Sequence, residues 1–236
     1  MIRSILTVLK GNVAAQLIGI AVLPILSRHF SPTAFGNFYA FQAIIGFLLV
    51  LVTLRYEIAI LRMKDDRELS AILAMCGLAL LGTTGLCAIF LGVTDALGYP
   101  AVVADLQFPL WLIPVAMAFG GAAQLLGYIL VKQHRFGQSS NSKIVQWMGN
   151  AGTGVGLALT MPSTSGVILG DIAGKLVLTL WLARLAMKEI RSAFSASWRD
   201  IADAAYRFRD LSLLSLPTTL INIGGLSITP MLVYSE

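Results

Sequence analysis

The chain has 236 residues, of which 57% are hydrophobic and only 12% charged, and its mean hydropathy is +0.80. A soluble domain carries roughly 25% charged residues, so this composition cannot furnish a water-facing surface and excludes an ordinary soluble globule. The net charge of +5 accompanies no nucleic-acid-reading motif, and its basic residues fall in short connectors between long uncharged runs, which is the distribution of membrane anchors.

Crossing a bilayer core takes about 20 apolar helical residues. Seven stretches approach that length: Ser4–Ser27, Thr33–Leu54 with an extension toward Leu61, Leu69–Val93, Leu106–Val131, Ile144–Met161, Ser163–Ala183 and Leu211–Tyr234. The expected fold is all-α, a polytopic helical membrane protein. In the first span, Lys10 interrupts the apolar run and no small-residue cleavage site follows, so the segment reads as a retained helix and not as a signal peptide. Asn12, Gln16 and Gly19 share one face of that helix, with Lys10 roughly opposite and close enough to its end to reach the headgroups. Asn12 and Gln16 suit either sugar contacts or interhelical hydrogen bonds. Arg55 ends the second span. Glu57, two residues on, falls on another helical face and is expected to pair with a base of the connectors.

Cys76 and Cys87 lie on the third span, eleven residues apart, or about 16 Å along a helix, outside disulfide reach. The fifth span is rich in glycine and holds Gln146 and Asn150. Its Gly152 and Gly156 form a small-xxx-small pair that predicts close approach of a neighbouring helix inside the bundle. Pro162 and a Ser/Thr cluster predict a tight turn into the sixth span. There Asp171 and Lys175 stand at i and i+4, so their side chains share a face. A lone charge at that depth costs at least about 2.5–3.5 kcal/mol, and each therefore needs a partner. Two readings stay open: a closed ion pair that only neutralises both groups, or a pair that exchanges with an anionic substrate or a coupling cation. His29 and His134 have no partners at metal-ligand spacing, and no cofactor or catalytic set is expected.

The connector 188–210 repeats Trp198, Ile201, Ala205 and Phe208 at helical spacing among charges. It reads as an amphipathic helix on the inner leaflet or as a solvated linker. Fourteen of the 17 basic residues fall in alternate connectors: Arg3, then residues 55–67, 132–143 and 184–209. The positive-inside rule places those connectors and the N-terminus in the cytoplasm. The first and seventh spans share the pattern amide-x-x-Gly-x-x-x-x-Pro-apolar-Leu, at Gln16, Gly19 and Pro24 and again at Asn222, Gly225 and Pro230. Such internal repeats occur in transporters with two halves. On this pattern residues 1–187 form one six-helix lobe, 188–210 the connector, and 211–236 the first helix of a second lobe that the chain does not complete. The chain alone is then expected not to transport.

Several motifs bear on a family. They are Gly11-Asn12 with Gln16 and Pro24, the turn Phe30-Ser31-Pro32-Thr33-Ala34-Phe35-Gly36, and Arg55-Tyr56-Glu57-Ile58-Ala59-Ile60 followed by Lys64-Asp65-Asp66. The approach to the last helix, Tyr206-Arg207-Phe208-Arg209 with Pro217, adds to them. With these the chain resembles the O-antigen and capsule flippases of the multidrug/oligosaccharidyl-lipid/polysaccharide exporter superfamily. The resemblance implies two helical lobes around a central cavity in the bacterial inner membrane. It implies, as substrate, a polyprenyl-diphosphate-linked oligosaccharide moved to the outer leaflet, with polysaccharide polymerase and chain-length machinery as partners, and it implies no enzymatic activity. Arg55, Lys175, Asn12, Gln16 and Asn222 are then candidates for substrate contact, and Asp171 and Glu57 for coupling. Arg55 suits a diphosphate because its planar guanidinium binds in bidentate fashion, although the end of a helix is also where a headgroup anchor belongs. An ion-coupled drug exporter or a cell-wall precursor flippase of the same superfamily, and a membrane enzyme acting on polyprenyl lipids, are the competing expectations. The membrane-embedded charges lean basic, which favours an anionic substrate.

Overall fold

The computed structural model describes residues 2–63, 65–98, 108–160 and 163–234, with side chains from residue 9 to residue 223 other than 23 and 158. Among the described residues every regular element is a helix and none is a strand. The helices are α1 (Ile2–His29), α2 (Pro32–Val52), α3 (Asp66–Leu97), α4 (Leu112–Lys132), α5 (Phe136–Thr160), α6 (Thr164–Leu185), α7 (Met187–Ala193), α8 (Trp198–Arg207) and α9 (Arg209–Tyr234), with a 3₁₀ helix at Tyr56–Arg62. Among the described residues, five helices are long and apolar enough to cross a membrane: α1 from Leu9, α2, α3, α4 and α6. The fifth predicted span is helical, but α5 is not among those five. It begins at Phe136, eight residues before the predicted Ile144, because the polar segment 136–143 continues the helix instead of forming a loop. The predicted beginning of the fourth span at Leu106, the turn residues 161 and 162, and the side chains of Gly225 and Pro230 in the proposed repeat lie outside the described residues.

The turn between α1 and α2 follows from its sequence. Ser31 caps α2, its Oγ accepting from the Ala34 N–H at 3.1 Å, and Pro32 opens the helix. Phe30 and Phe35 flank the cap edge to face with centroids 6.3 Å apart, an apolar staple across the helix start. From this turn α1 packs along α5, and the two run parallel: Gly11 meets Ser140, Gly19 meets Trp147 and Gly154 meets Leu26. A side chain at Gly11 or Gly19 would overlap those neighbours, so the small residues set the approach.

α4 and α6 form the centre, and the outer faces of α1 and α3 (Leu17, Ile20, Leu81, Leu86, Ile89, Phe90) are exposed. An apolar surface that extensive calls for an apolar environment. One core cluster, around Phe41, Ile45, Met117 and Ile168, joins α2, α4 and α6. A second, around Ile60, Ile72, Ile129 and Leu182, closes the end of the bundle where the 3₁₀ helix, α7 and α8 gather.

That end collects the basic connectors. Arg67 bridges Asp200 at 2.9 Å, Arg207 bridges Glu68 at 2.5 Å, Gln133 donates to Glu189 at 2.5 Å and Arg135 to the Leu185 carbonyl at 2.8 Å. The exposed ion pairs contribute little, about 0–1 kcal/mol each, but with these hydrogen bonds they show that segments 67–68, 133–135 and 185–207 share one face of the molecule. The connector 188–210 is two short helices, and α8 docks on α3 through Ile201 and Ala204, while Trp198 stays 74% exposed. The connector is thus helical over much of its length and amphipathic, and part of it is docked on the bundle. Its buried stripe faces protein, and Phe194 and Trp198 project from it.

Placing every basic connector at one end predicts one-sided labelling. In a Cys87→Ala background, a membrane-impermeant maleimide added to whole cells should modify Ala96→Cys and spare Ser195→Cys until the membrane is opened. Equal labelling of both in intact cells contradicts the arrangement.

Candidate functional site

Asp171 and Lys175 occupy the second and third turns of α6. Both are buried, at 8% and 7% exposure, and their carboxylate and ammonium form a direct ion pair along the helix. Gln42 of α2 offers its Oε1 to the same ammonium at 3.5 Å. One turn further on, Thr179 Oγ1 donates to the Phe119 carbonyl of α4 at 2.8 Å. The charged face of α6 therefore looks into the junction of α2, α4 and α5. Neutralisation within the helix explains why two ionisable groups are tolerated in an apolar segment.

α5 and α6 approach so closely that the Gly149 position lies against Gly174 and Val177, and Gly170 against Gly154. Thr153 Oγ1 reaches across to the Gly170 carbonyl at 3.1 Å. The expected contact through Gly152 and Gly156 does not form, since neither position has a neighbour within 4 Å. The helix turns Gly149 and Gly154 inward instead, and the matching small pair, Gly170 and Gly174, lies on α6. The Cβ that Gly174 lacks would run into the Asn150 side-chain oxygen. That oxygen is buried against α6 and has no hydrogen-bond partner among the described residues.

Two cavities flank the pair. The larger, about 780 Å³, lies between α1, α2, α5 and α6; Phe38, Tyr39 and Trp147 are among its aromatic walls, and Gln16, Gln42 and Asn150 among its amides. The smaller, about 410 Å³, lies between α4, α5 and α6 and presents Gln124, Ser139, Ser142 and Lys143. Both volumes fall in the usual range for ligand sites. Lys175 and Gln146 line both cavities.

A second polar cluster sits where α2 ends. Leu54 and Arg55 adopt the left-handed conformation, with φ of 51° and 63°, which costs roughly 1–2 kcal/mol per residue. Hydroxyls from neighbouring helices serve the carbonyls freed there: Thr83 donates to Val52 O at 2.9 Å and Ser212 of α9 to Leu54 O. Glu57, fully buried, accepts from Thr53, from Gln124 at 2.8 Å and from Arg55 at 3.4 Å. The expectation that Glu57 would face away from Arg55 and pair with a connector base assumed an α-helix. The left-handed pair followed by a 3₁₀ turn brings i and i+2 together instead. Arg55 also donates to Ser215 of α9 at 3.3 Å.

The candidates thus fall in separate places. Gln16, Asp171 and Lys175 share the larger cavity. Arg55 and Glu57 form the α2 cluster. Asn12 and Asn222 are exposed and line neither cavity. Gln42 and Gln124 went unnoticed in the sequence. Gln42 had a signal, since Phe35, Phe38, Tyr39 and Gln42 recur at i, i+3, i+4 and i+7, one helical face. Among the described residues no group of three or more His, Cys, Asp or Glu side chains could hold a metal ion. No protein-family model, curated protein or solved structure matches the chain.

Removing one charge strands the other. Asp171→Asn or Lys175→Gln alone should lower stability by about 3 kcal/mol or more, whereas the double variant should melt within a few degrees of the parent in a detergent thermal-shift assay. Gly174→Val should be as damaging as either single charge change, because the new side chain meets Asn150. Single variants that melt like the parent would refute the pairing.

Proposed function

We propose that the protein is a membrane transporter of the lipid-linked oligosaccharide class, carrying a polyprenyl-diphosphate-linked glycan from the cytoplasmic to the outer leaflet of a bacterial inner membrane for surface polysaccharide assembly. The N-terminus and the basic connectors lie in the cytoplasm, and the complete transport unit has two helical lobes. The observation that carries this reading is a buried cation, Lys175, set between two cavities inside a bundle of apolar helices. Ionisable groups at such depth are the default marks of a transported polar or charged species. Lys175 and Lys143 against the single acidic wall residue, Asp171, favour an anionic ligand over the cationic drugs of related exporters. The aromatic and amide walls suit the apolar and hydroxyl-rich faces of sugars. The family motifs of the α1–α2 turn and of Arg55-Tyr56-Glu57 point the same way. The partners of such a transporter are the polymerase and chain-length machinery that act on the delivered glycan.

The test is restoration of surface polysaccharide in a flippase-deficient strain by the gene that encodes this sequence, with expression checked in membranes. A parent gene that encodes this sequence together with the second lobe should restore it. The double Asp171→Asn, Lys175→Gln variant should accumulate normally in the membrane and fail. A parent gene without effect in hosts with differing glycans would refute the reading, and a fully active double variant would remove the pair from the mechanism.

A further inference from the structure

The connector between α6 and α9 has an inner and an outer face. Ile190 and Ala193 of α7, Ala204 of α8 and Phe208 after it pack into the core cluster at that end of the bundle, and both short helices lie against α3. The outer face is open. Met187, Arg191 and Phe194 follow at i, i+4 and i+7, one side of α7 continued through its helical cap residue. Phe194 is 89% exposed, and the exposed Trp198 opens α8 across the turn 195–197. Charge on this face is uncompensated. The acids of the connector are engaged elsewhere: Glu189 by Gln133, Asp200 by Arg67 and Asp210 by Arg209, while Asp203 lines the cleft against α3 with Arg67 and Arg207. Arg184, Lys188, Arg191 and Arg199 are exposed and form no ion pair among the described residues. The level of the face is set by α6, one of the helices long and apolar enough to cross a membrane. It ends at Leu185, with Trp181 and Arg184 exposed near that end, the aromatic and basic pair of a membrane–water boundary. α7 begins two residues later, about 3 Å of helix rise beyond it.

We infer that the outer face of α7 and the start of α8 form a docking surface for the anionic phospholipid headgroups of the leaflet at the basic end. Lys188, Arg191 and Arg199 meet the headgroup phosphates, and Phe194 and Trp198 enter the boundary between headgroups and acyl chains. Charge complementarity selects the sign of the partner, since four cations on this face have no acid of their own. The two large exposed aromatic side chains select a lipid boundary over a polyanion in water, because such rings settle where one side is apolar and the other wet. The surface differs from the one that helical periodicity suggests. Of the stripe Trp198, Ile201, Ala205 and Phe208, Ile201 is buried and Phe208 packs on the core, and Trp198 alone joins the outer face. The lipid-facing side chains come instead from α7 and the turn, where no apolar stripe is visible in the sequence. A leaflet bound there pins the segment that leads into α9. The inference requires only a chain embedded in a membrane and is independent of what it transports.

Trp198 reports on this face. With Trp111, Trp147 and Trp181 replaced by Phe, the full chain is placed in phosphatidylcholine nanodiscs that contain a minor fraction of phosphatidylglycerol or phosphatidylcholine spin-labelled high on the acyl chain. Both labelled lipids should quench Trp198. The phosphatidylglycerol should do so at about fivefold lower mole fraction, the advantage conferred by one basic residue near an anionic surface. Added salt should reduce that advantage. The triple variant Lys188→Gln, Arg191→Gln, Arg199→Gln, changed only at exposed positions, should lose it and keep its quenching by the phosphatidylcholine. A bimane on Ser195→Cys in the Cys87→Ala background gives the same comparison with the tryptophans retained. Trp198 and the bimane untouched by either lipid, equal quenching by both lipids in the parent, or a triple variant that keeps the preference would each overturn the assignment. A bimane that stays in water in nanodiscs of either composition and is shielded only when cytosolic extract is added would give the face to a protein partner and overturn the lipid as occupant.

Discussion

A carboxylate and an ammonium group on an otherwise apolar helix must meet each other, and the arrangement of the bundle follows from where that meeting occurs. Asp171 and Lys175 neutralise one another within α6, which makes α6 tolerable away from water. Their remaining hydrogen-bonding capacity still requires polar neighbours, and Gln42 supplies one. The face that bears them is thereby directed to the junction of four helices, and both cavities are built around it. The charges favour that face together with the Gly170–Gly174 stripe and the Thr179 bond to α4.

The close packing of α5 on α6 depends on the same face. Gly170 and Gly174 alternate with Asp171 and Lys175 along two turns, so the surface that holds the charges also permits backbone contact with Gly149 and Gly154. The consequence is that α5, the most polar of the long helices, is held between α1 and α6 while Gln146 and Asn150 are turned toward the cavity. Polar groups on α5 are thus both the reason it is poorly suited to face lipid and the means by which it furnishes a site.

The break after α2 repeats this logic on a smaller scale. Two strained residues interrupt the helix, and hydroxyls of α3 and α9 take up the carbonyls that are released. Glu57 is buried by this turn and satisfied by three donors drawn from the break itself and from α4. Gln124 joins this cluster to the smaller cavity, whose wall it also forms. Through Ser212 and Ser215 the beginning of α9 is held to the same point. The first segment after the connector is therefore attached where α2 changes direction, and a chain of hydrogen bonds runs from Ser215 through Arg55 and Glu57 to Gln124 at the cavity wall.

The helical class, the long apolar runs and the clustering of basic residues in alternate connectors were legible in the sequence, because hydropathy and charge are properties of single residues and helix length follows from their runs. The Asp171–Lys175 pair was legible too, since spacing of i and i+4 is local geometry. Other features were decided by tertiary structure. Which glycines of α5 touch a neighbour depends on the rotation of the helix, and Gly149 and Gly154 prevailed over Gly152 and Gly156 because the interlocking surface belongs to α6. Glu57 met Arg55 because the backbone left the α conformation, where periodicity no longer applies. Gln42, Gln124 and Gln146 became site residues only when α2, α4 and α5 converged on Lys175. A neutral amide in an apolar helix carries no sign of its partner, and the charge it serves lies on a helix far away in sequence.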